Sequence, residues 1–160
     1  MKLFLKVALF TLVVPGTIAV LVPLLIKWDR PVAEGPTLWL GVCLLALGTL
    51  LYLRSVWDFA VSGGGTPAPI DAPKRLVTNG IYRYSRNPIY VAVLIAIAGW
   101  TSLFQAPLLL VYGGALFALY SFFVQRHEEP HLAREFGEEY TAYKASTGRW
   151  LPRLRRKNRL

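Results

Sequence analysis

The chain has 160 residues, of which 54% are hydrophobic and 17% charged, and its formal net charge is +9. A soluble domain is normally richer in charge, and here the apolar residues stand in long blocks. The length permits one domain. The basic excess is typical of a membrane protein whose loops face anionic lipid, so no nucleic-acid partner is expected.

Four apolar blocks have lengths near those of membrane spans, for which a helix needs roughly 20 residues, with a range of about 17 to 25. The first is longer than the apolar core of a signal peptide and lacks a following cleavage site, so we expect it to be retained. The blocks run from about Leu3 to Ile26, Thr37 to Trp57, Ile89 to Phe104 and Pro107 to Val124. The sequence therefore predicts an all-α polytopic membrane bundle of about four transmembrane helices. We expect a single domain over residues 1–160, with the first two blocks in residues 1–60.

The third and fourth blocks are joined only by "QAP", which forces an antiparallel helical hairpin. Loops that remain in the cytoplasm are enriched in Lys and Arg, and this bias indicates the orientation. With both termini in the cytoplasm, Lys27 and Arg30 are the only basic residues left outside. We therefore predict cytoplasmic termini, which also places the open end of the hairpin on the cytoplasmic side.

Two further segments flank the spans. The loop from Ser62 to Pro73 is rich in Gly and Pro and is predicted to be irregular. Pro130 suits the first turn of a helix, and apolar or aromatic residues then recur near helical spacing. That face contains Leu132, Phe136, Tyr140 and Tyr143. It predicts an amphipathic helix against the membrane or the bundle, followed by a basic run, "RLRRKNR", that anchors to lipid headgroups.

Polar side chains converge at the predicted open end of the hairpin. The segment "RYSRNPIY" at 83–90 leads into the third block, and "RHEE" at 126–129 follows the fourth. Carboxylates near membrane depth are costly and usually have a partner or a function. Two interpretations stay open. In the first, Glu128 and Glu129 cap the next helix, and Arg86 and Tyr90 anchor at the membrane interface. In the second, these four side chains together bind a polar ligand there.

The C-terminal half carries a longer pattern with a familiar order. It reads "GIYRYSRNPIY" at 80–90, "EE" at 128–129, "FGEEYTAY" at 136–143, and then a basic residue before a proline. Over roughly residues 74–153 this pattern resembles the isoprenylcysteine carboxyl methyltransferase and phospholipid methyltransferase superfamily of integral membrane enzymes. The carboxyl methyltransferases generally have His after the motif arginine. Asn87 stands there in this chain, which is similar to the broader bacterial and phospholipid-type branch.

The resemblance implies an integral enzyme of a bacterial inner membrane that uses S-adenosylmethionine as methyl donor. The acceptor is expected to be apolar or lipid-like and to come from the lipid bilayer. An isoprenylcysteine carboxylate and a phospholipid amine both stay open, as does the oligomeric state. The resemblance assigns cofactor binding to Tyr82, Arg86, Asn87, Pro88, Tyr90, Glu128 and Glu129.

Candidate catalytic residues are Arg86 and Glu128, because a guanidinium can bind a carboxylate and an acid can take a proton. Candidate substrate residues are Arg83, Tyr143 and Arg149. No metal site is predicted, since Cys43 stands alone in an apolar block and His131 lacks neighbours at metal-ligand spacing.

Two other functions remain compatible with the pattern. An NADPH-dependent membrane reductase of the sterol-reductase kind looks similar in its C-terminal half, although such enzymes are usually much larger. A non-catalytic membrane sensor or assembly protein would keep the bundle and the polar cluster without turnover.

Overall fold

The computed structural model describes residues 2–64 and 75–153, with side chains from Leu5 onward. Throughout these residues the regular structure is helical, which confirms the predicted all-α class. Helix α1 is Lys2–Gly16, and a π-helical turn, Thr17–Leu21, joins it to α2, Val22–Lys27. Helix α3 is Pro36–Gly63, and a 3-10 helix, Gly80–Arg83, precedes α4, Pro88–Phe104. Helix α5 is Pro107–Phe123, and a second π-helical turn, Val124–Glu128, leads into α6, Glu129–Ser146.

Three helical segments are long and apolar enough to cross a membrane: Leu5–Lys27, Pro36–Gly63 and Pro107–Ser146. The last has 40 residues, about twice the number that a bilayer requires, so only its apolar first half, α5, is taken as the span. Helix α4 has 17 residues and is shorter than these three. Three of the predicted spans are thus confirmed by length and composition, and α4 as the fourth stays a prediction.

The predicted start of the loop after the second span was wrong. Ser62 and Gly63 belong to α3, which ends where Gly64 adopts a left-handed conformation with φ of 65°. That conformation is a common way for glycine to end a helix. The final amphipathic helix begins at Glu129, which confirms that Pro130 lies in its first turn, and it continues from α5 through the π-helical turn. The remainder of the predicted loop, residues 65–74, and the terminal basic run, residues 154–160, lie outside the described residues.

The closest helix packing joins α3 to α4 and depends on glycines in both. A Cβ on Gly41 would lie 2.9 Å from the backbone nitrogen of Leu103, and one on Gly48 would lie 2.9 Å from Ala92 O. A Cβ on Gly99 of α4 would lie 2.8 Å from Leu45 N. These backbones approach so closely because small residues line the contact, as is usual in membranes.

Pro23 interrupts the backbone hydrogen bonding of the first span, and neighbouring helices satisfy the freed carbonyls. Pro23 has no N–H for Ala19 O, four residues earlier, and Val22 N–H bonds to Thr17 O in the π-helical turn. Trp100 Nε1 of α4 donates to Ala19 O at 2.7 Å, and Tyr112 of α5 donates to Ile18 O at 2.9 Å. The span is therefore tied to the hairpin at membrane depth, where unpaired carbonyls are costly.

Candidate active site at the open end of the hairpin

The hairpin of α4 and α5 brings the predicted acidic and basic residues together. The Glu129 carboxylate is 3.2 Å from Arg86 Nη1, 2.6 Å from Arg149 Nε and 3.3 Å from Lys144 Nζ. Arg86 and Glu129 are both buried, with side chains 7% and 9% exposed. Arg86 also donates to the Tyr140 hydroxyl at 2.9 Å. We call these four charged residues, Arg86, Glu129, Lys144 and Arg149, the ion cluster.

The second π-helical turn explains how two successive carboxylates can both face this site. Glu129 N–H bonds to Val124 O, five residues earlier, so Glu129 lies above the buried Val124 on the inner face. Pro130 follows and cannot donate to the carbonyl four residues before it, which favours the wider turn. The added residue therefore points Glu128 and Glu129 toward the hairpin together.

Glu128 has different surroundings from its neighbour. The Tyr90 hydroxyl of α4 donates a hydrogen bond to Glu128 Oε1. Tyr90 also stacks on Tyr120 of α5, with ring centroids 4.4 Å apart. Glu128 is thus bonded to one member of a stacked aromatic pair and not to the ion cluster.

The two carboxyl groups differ in acidity because of these partners. Burial raises the pKa of Glu128, and the charge of Glu129 adds to the rise, while the Tyr90 hydrogen bond opposes it. Burial alone would also raise the pKa of Glu129. The hydrogen bond from Arg149 and the charges of Arg86 and Arg149 outweigh burial and hold that pKa below its usual value.

The segment after α6, residues 147–150, crosses the start of α4, and we call it the strap. Arg86 N–H donates to Gly148 O at 3.0 Å, and Asn87 Nδ2 donates to Arg149 O at 3.1 Å. The Ser85 hydroxyl donates to the same Arg149 carbonyl at 3.2 Å. Asn87 therefore holds the strap in place, and Pro88 beside it begins α4.

Tyr82 and Tyr143 connect the turn before α4 to α6. The Tyr143 hydroxyl donates to Tyr82 O at 2.7 Å, and both side chains are buried. On its other side the turn is held by Asp58 of α3, which accepts Ile81 N–H at 2.9 Å. A Cβ on Gly80, whose φ is 57°, would collide with that carboxylate.

An open cleft of about 460 Å³ lies between the end of α3, residues 75–79 and α6. Its lining residues are Ser62, Arg75, Leu76, Thr78, Asn79, Phe136 and Glu139. None of the predicted site residues lines this cleft. The cleft is therefore lined by residues that are close in sequence to the site residues but are not among them.

The structure places nine of the ten predicted site residues at the open end of the hairpin, where each is bonded as given above or is a chain neighbour of a bonded residue. Arg83 is the exception, because its side chain is exposed and bonds the Tyr84 hydroxyl at 2.8 Å. Its substrate role stays a prediction.

The sequence analysis did not identify three neighbours of the site, which are Asp58, Lys144 and Trp150. A lone acid near the end of an apolar block was a signal for Asp58, since such acids usually have a partner.

The predicted inner face of α6 is confirmed. Tyr140 and Tyr143 are buried, and Leu132 and Phe136 are half-buried, while most of their neighbours are exposed. Gly137 interrupts the helix with φ of 49° and ψ of −118°, so the two ends of α6 differ in direction.

Comparisons with known proteins show the family of this chain. A family model described as phospholipid methyltransferase matches residues 36–139, which include α3, both carboxylates and the start of α4. The chain is 32% identical over 120 residues to a protein-S-isoprenylcysteine O-methyltransferase of Dictyostelium discoideum. That alignment covers 71% of this chain and 48% of the relative, so the chain spans about half the relative's length. These matches confirm the resemblance of the C-terminal half, and the family model extends it to α3. The chain belongs to the phospholipid methyltransferase family.

Proposed function

We propose that this protein transfers a methyl group from S-adenosylmethionine to an apolar or lipid-like acceptor at the cytoplasmic edge of the membrane. The observation that carries the proposal is the placement of the Glu128–Tyr90 pair beside the ion cluster at the open end of the hairpin. One acidic and one cationic region then lie side by side at the end of a membrane span. The amino-acid part of the donor, which has an ammonium and a carboxylate, requires both.

The residues present fit this donor. Three cations in the ion cluster, Arg86, Lys144 and Arg149, face one carboxylate, so the cluster has positive charge left for an anionic group. Among the described residues, the Arg86 Nε is buried and lacks a hydrogen-bond partner. Such a group needs an acceptor, and a ligand carboxylate would supply one. Glu128 is the complementary group for an ammonium or for ribose hydroxyls.

When bound, S-adenosylmethionine supplies a methyl group already activated on a sulfonium. The side chains therefore have to hold donor and acceptor in line and exclude water. Tyr90 and Tyr120 present aromatic surfaces, which attract a cation. The strap and the Tyr82–Tyr143 bond close the site toward the cytoplasm.

The role of Glu128 depends on the acceptor. A carboxylate acceptor becomes an ester without proton transfer and needs a cation to orient it, for which Arg149 is better placed than Arg83. An amine acceptor gains a methyl group and must lose a proton. Glu128 is placed to take that proton, since its raised pKa makes it a stronger base than a free carboxylate.

Two acceptor classes are proposed for test. The name of the Dictyostelium relative points to an isoprenylcysteine carboxylate, and the family description points to a phospholipid amine. Asn87 favours the second class, because the carboxyl methyltransferases generally have His at that position. We further propose a bacterial inner membrane as the location, with both termini in the cytoplasm.

A thermal melt of the detergent-purified protein tests the donor. A ligand that binds only the folded state adds about 2.7 kcal/mol at 100 times its Kd, so the midpoint should rise. We expect a rise with S-adenosylmethionine and with its demethylated product S-adenosylhomocysteine, and none with NADPH.

The matched variants are Glu128→Gln in the site and Glu135→Gln on the exposed part of α6. The first should lose most of the ligand-induced rise, and the second should keep it. If the folded wild type responds neither to S-adenosylmethionine nor to S-adenosylhomocysteine, the proposal is refuted. A response to NADPH alone would then indicate a reductase. The absence of a response to all three ligands would indicate a non-catalytic function.

A further inference from the structure

The strap fixes the position of Trp150 at the edge of the site. The backbone carbonyls of Gly148 and Arg149 accept hydrogen bonds from residues 85–87. From the other side, the Arg149 guanidinium donates to both oxygens of Glu129, at 2.6 and 3.1 Å. Because residue 149 is held by its backbone and its side chain together, the following residue has little freedom to leave.

Trp150 lies between the site and the lipid-facing surface. Its ring centroid is 6.4 Å from that of Tyr90, the residue that bonds Glu128. On the other side it is 5.4 Å from the ring of Phe117. Phe117 is 45% exposed on α5, a helix apolar enough to cross the membrane, and we infer that its exposed surface faces lipid. Aromatic rings therefore run from Glu128 to the bilayer in the order Tyr90, Trp150, Phe117.

The inner side of this series is formed by the bundle itself. Trp150 packs against a buried apolar cluster from α4 and α5, which contains Val93, Ile97, Leu116 and Tyr120. The indole is half-buried, so one part of it touches this cluster and the rest remains accessible. A flat aromatic surface in this position can bind an apolar chain along its length.

We propose that Trp150 determines acceptor selectivity by binding the apolar chain of the acceptor. This inference rests on the proposed methyl transfer and adds the path of the acceptor. The polar end of the acceptor lies at Glu128, and its chain passes Trp150 and Phe117 into the bilayer. The acceptor class that fits is an amphiphile with a polar head and a flexible apolar chain.

The test compares acceptors that share a head group and differ in chain length. One pair is N-acetyl-S-farnesylcysteine and N-acetyl-S-dimethylallylcysteine, and the other is a long-chain and a short-chain phosphatidylethanolamine. We expect Trp150→Ala to lower kcat/KM for the long-chain member by about tenfold or more, since each buried methylene contributes to binding. The short-chain member should change little, and the midpoint rise with S-adenosylhomocysteine should remain.

The matched control is Trp39→Ala, which removes an exposed tryptophan near the start of α3, far along the helix from Asp58 and the site. It should leave both members of each pair unchanged. An equal loss for long and short chains, or no loss for either, in a variant that still responds to S-adenosylhomocysteine would overturn the proposal. If Trp150→Ala loses that response, Trp150→Leu is judged by the same criterion.

A second measurement does not depend on turnover or on a variant. A farnesylcysteine analogue and a phosphatidylethanolamine, each with a benzophenone at the chain end, are photo-crosslinked to the wild type. We expect peptides that contain Phe117 or Trp150 to be labelled. Label confined to α1, α2 and α3, or no saturable label, refutes the path even when S-adenosylhomocysteine binds. Absence of S-adenosylhomocysteine binding refutes the proposed function instead.

Discussion

At the scale of single residues, two adjacent carboxylates have opposite environments. Glu129 accepts bonds from Arg149 and lies within 3.3 Å of Arg86 and Lys144, which stabilise its charge. Glu128 has the neutral Tyr90 hydroxyl as its hydrogen-bond partner, and burial raises its pKa. Burial without a cation disfavours a charged carboxylate. One acid is therefore structural in its contacts, and the other is available for a ligand.

This difference predicts opposite effects of the same substitution. Glu129→Gln leaves the cations of the ion cluster without their anion, and we expect a loss of about 3 kcal/mol in the free energy of unfolding. Glu128→Gln removes a charge that burial disfavours and keeps a hydrogen-bond acceptor for Tyr90. We expect its stability at pH 7 to equal or exceed that of the wild type. Denaturant unfolding in detergent measures both, with the exposed Glu138→Gln as control.

The pH dependence of unfolding checks the same assignment. The lowered pKa of Glu129 contributes stability above the usual glutamate pKa, and this stability is lost as pH falls through the lowered value. The raised pKa of Glu128 acts in reverse, with stability lost as pH rises through the raised value. Glu129→Gln should therefore reduce the loss of unfolding free energy as pH falls through the acidic range. Glu128→Gln should reduce the loss of unfolding free energy as pH rises through the raised pKa of Glu128. If each variant reduced the other loss, the assignment would be wrong.

At the scale of helices, the site depends on backbone irregularities that prolines and glycines create. The π-helical turn before Pro130 directs both carboxylates inward. Gly80, which has no Cβ, lets the turn before α4 approach Asp58 of α3, and Asp58 then accepts the Ile81 N–H. Neither feature can be predicted from hydropathy, because each depends on which backbone groups face one another in the folded chain.

The α3–α4 contact predicts different responses of two glycines to alanine. A Cβ at Gly48 would lie 2.9 Å from Ala92 O and Ala96 N, so Gly48→Ala should cost about 1–3 kcal/mol. Gly114 has no atom within 4 Å of the same position, and Gly114→Ala should be neutral or stabilise α5 by up to about 1 kcal/mol. Thermal midpoints compare the two. Equal losses would mean that α3 and α4 are not in close contact.

At the scale of the whole molecule, the hairpin acts as the frame to which the other elements attach. The first span is held by Trp100 and Tyr112, and α3 packs along α4. The strap closes the open end of the hairpin. All candidate site residues consequently lie at one end of the bundle, which must be the cytoplasmic end if the basic residues set the orientation.

The orientation predicts which positions can be labelled from outside a cell. In a Cys43→Ser background, a cysteine replacing Asp29 should react with a membrane-impermeant maleimide in intact cells. A cysteine replacing Glu135, an exposed residue of α6, should react only after permeabilisation. The opposite pattern would place the site outside and contradict the predicted topology.

The helical class, the hairpin, the proximity of Arg86 and Tyr90 to the two glutamates, and the inner face of α6 could all be predicted from the amino-acid sequence. These features follow from block length, a three-residue link and helical spacing, which are local properties. The tertiary structure alone decided which acid takes the cations, how Asp58 holds the Gly80 turn, and where Trp150 lies. Those contacts join residues distant in sequence, and packing selects among partners that the sequence leaves equivalent.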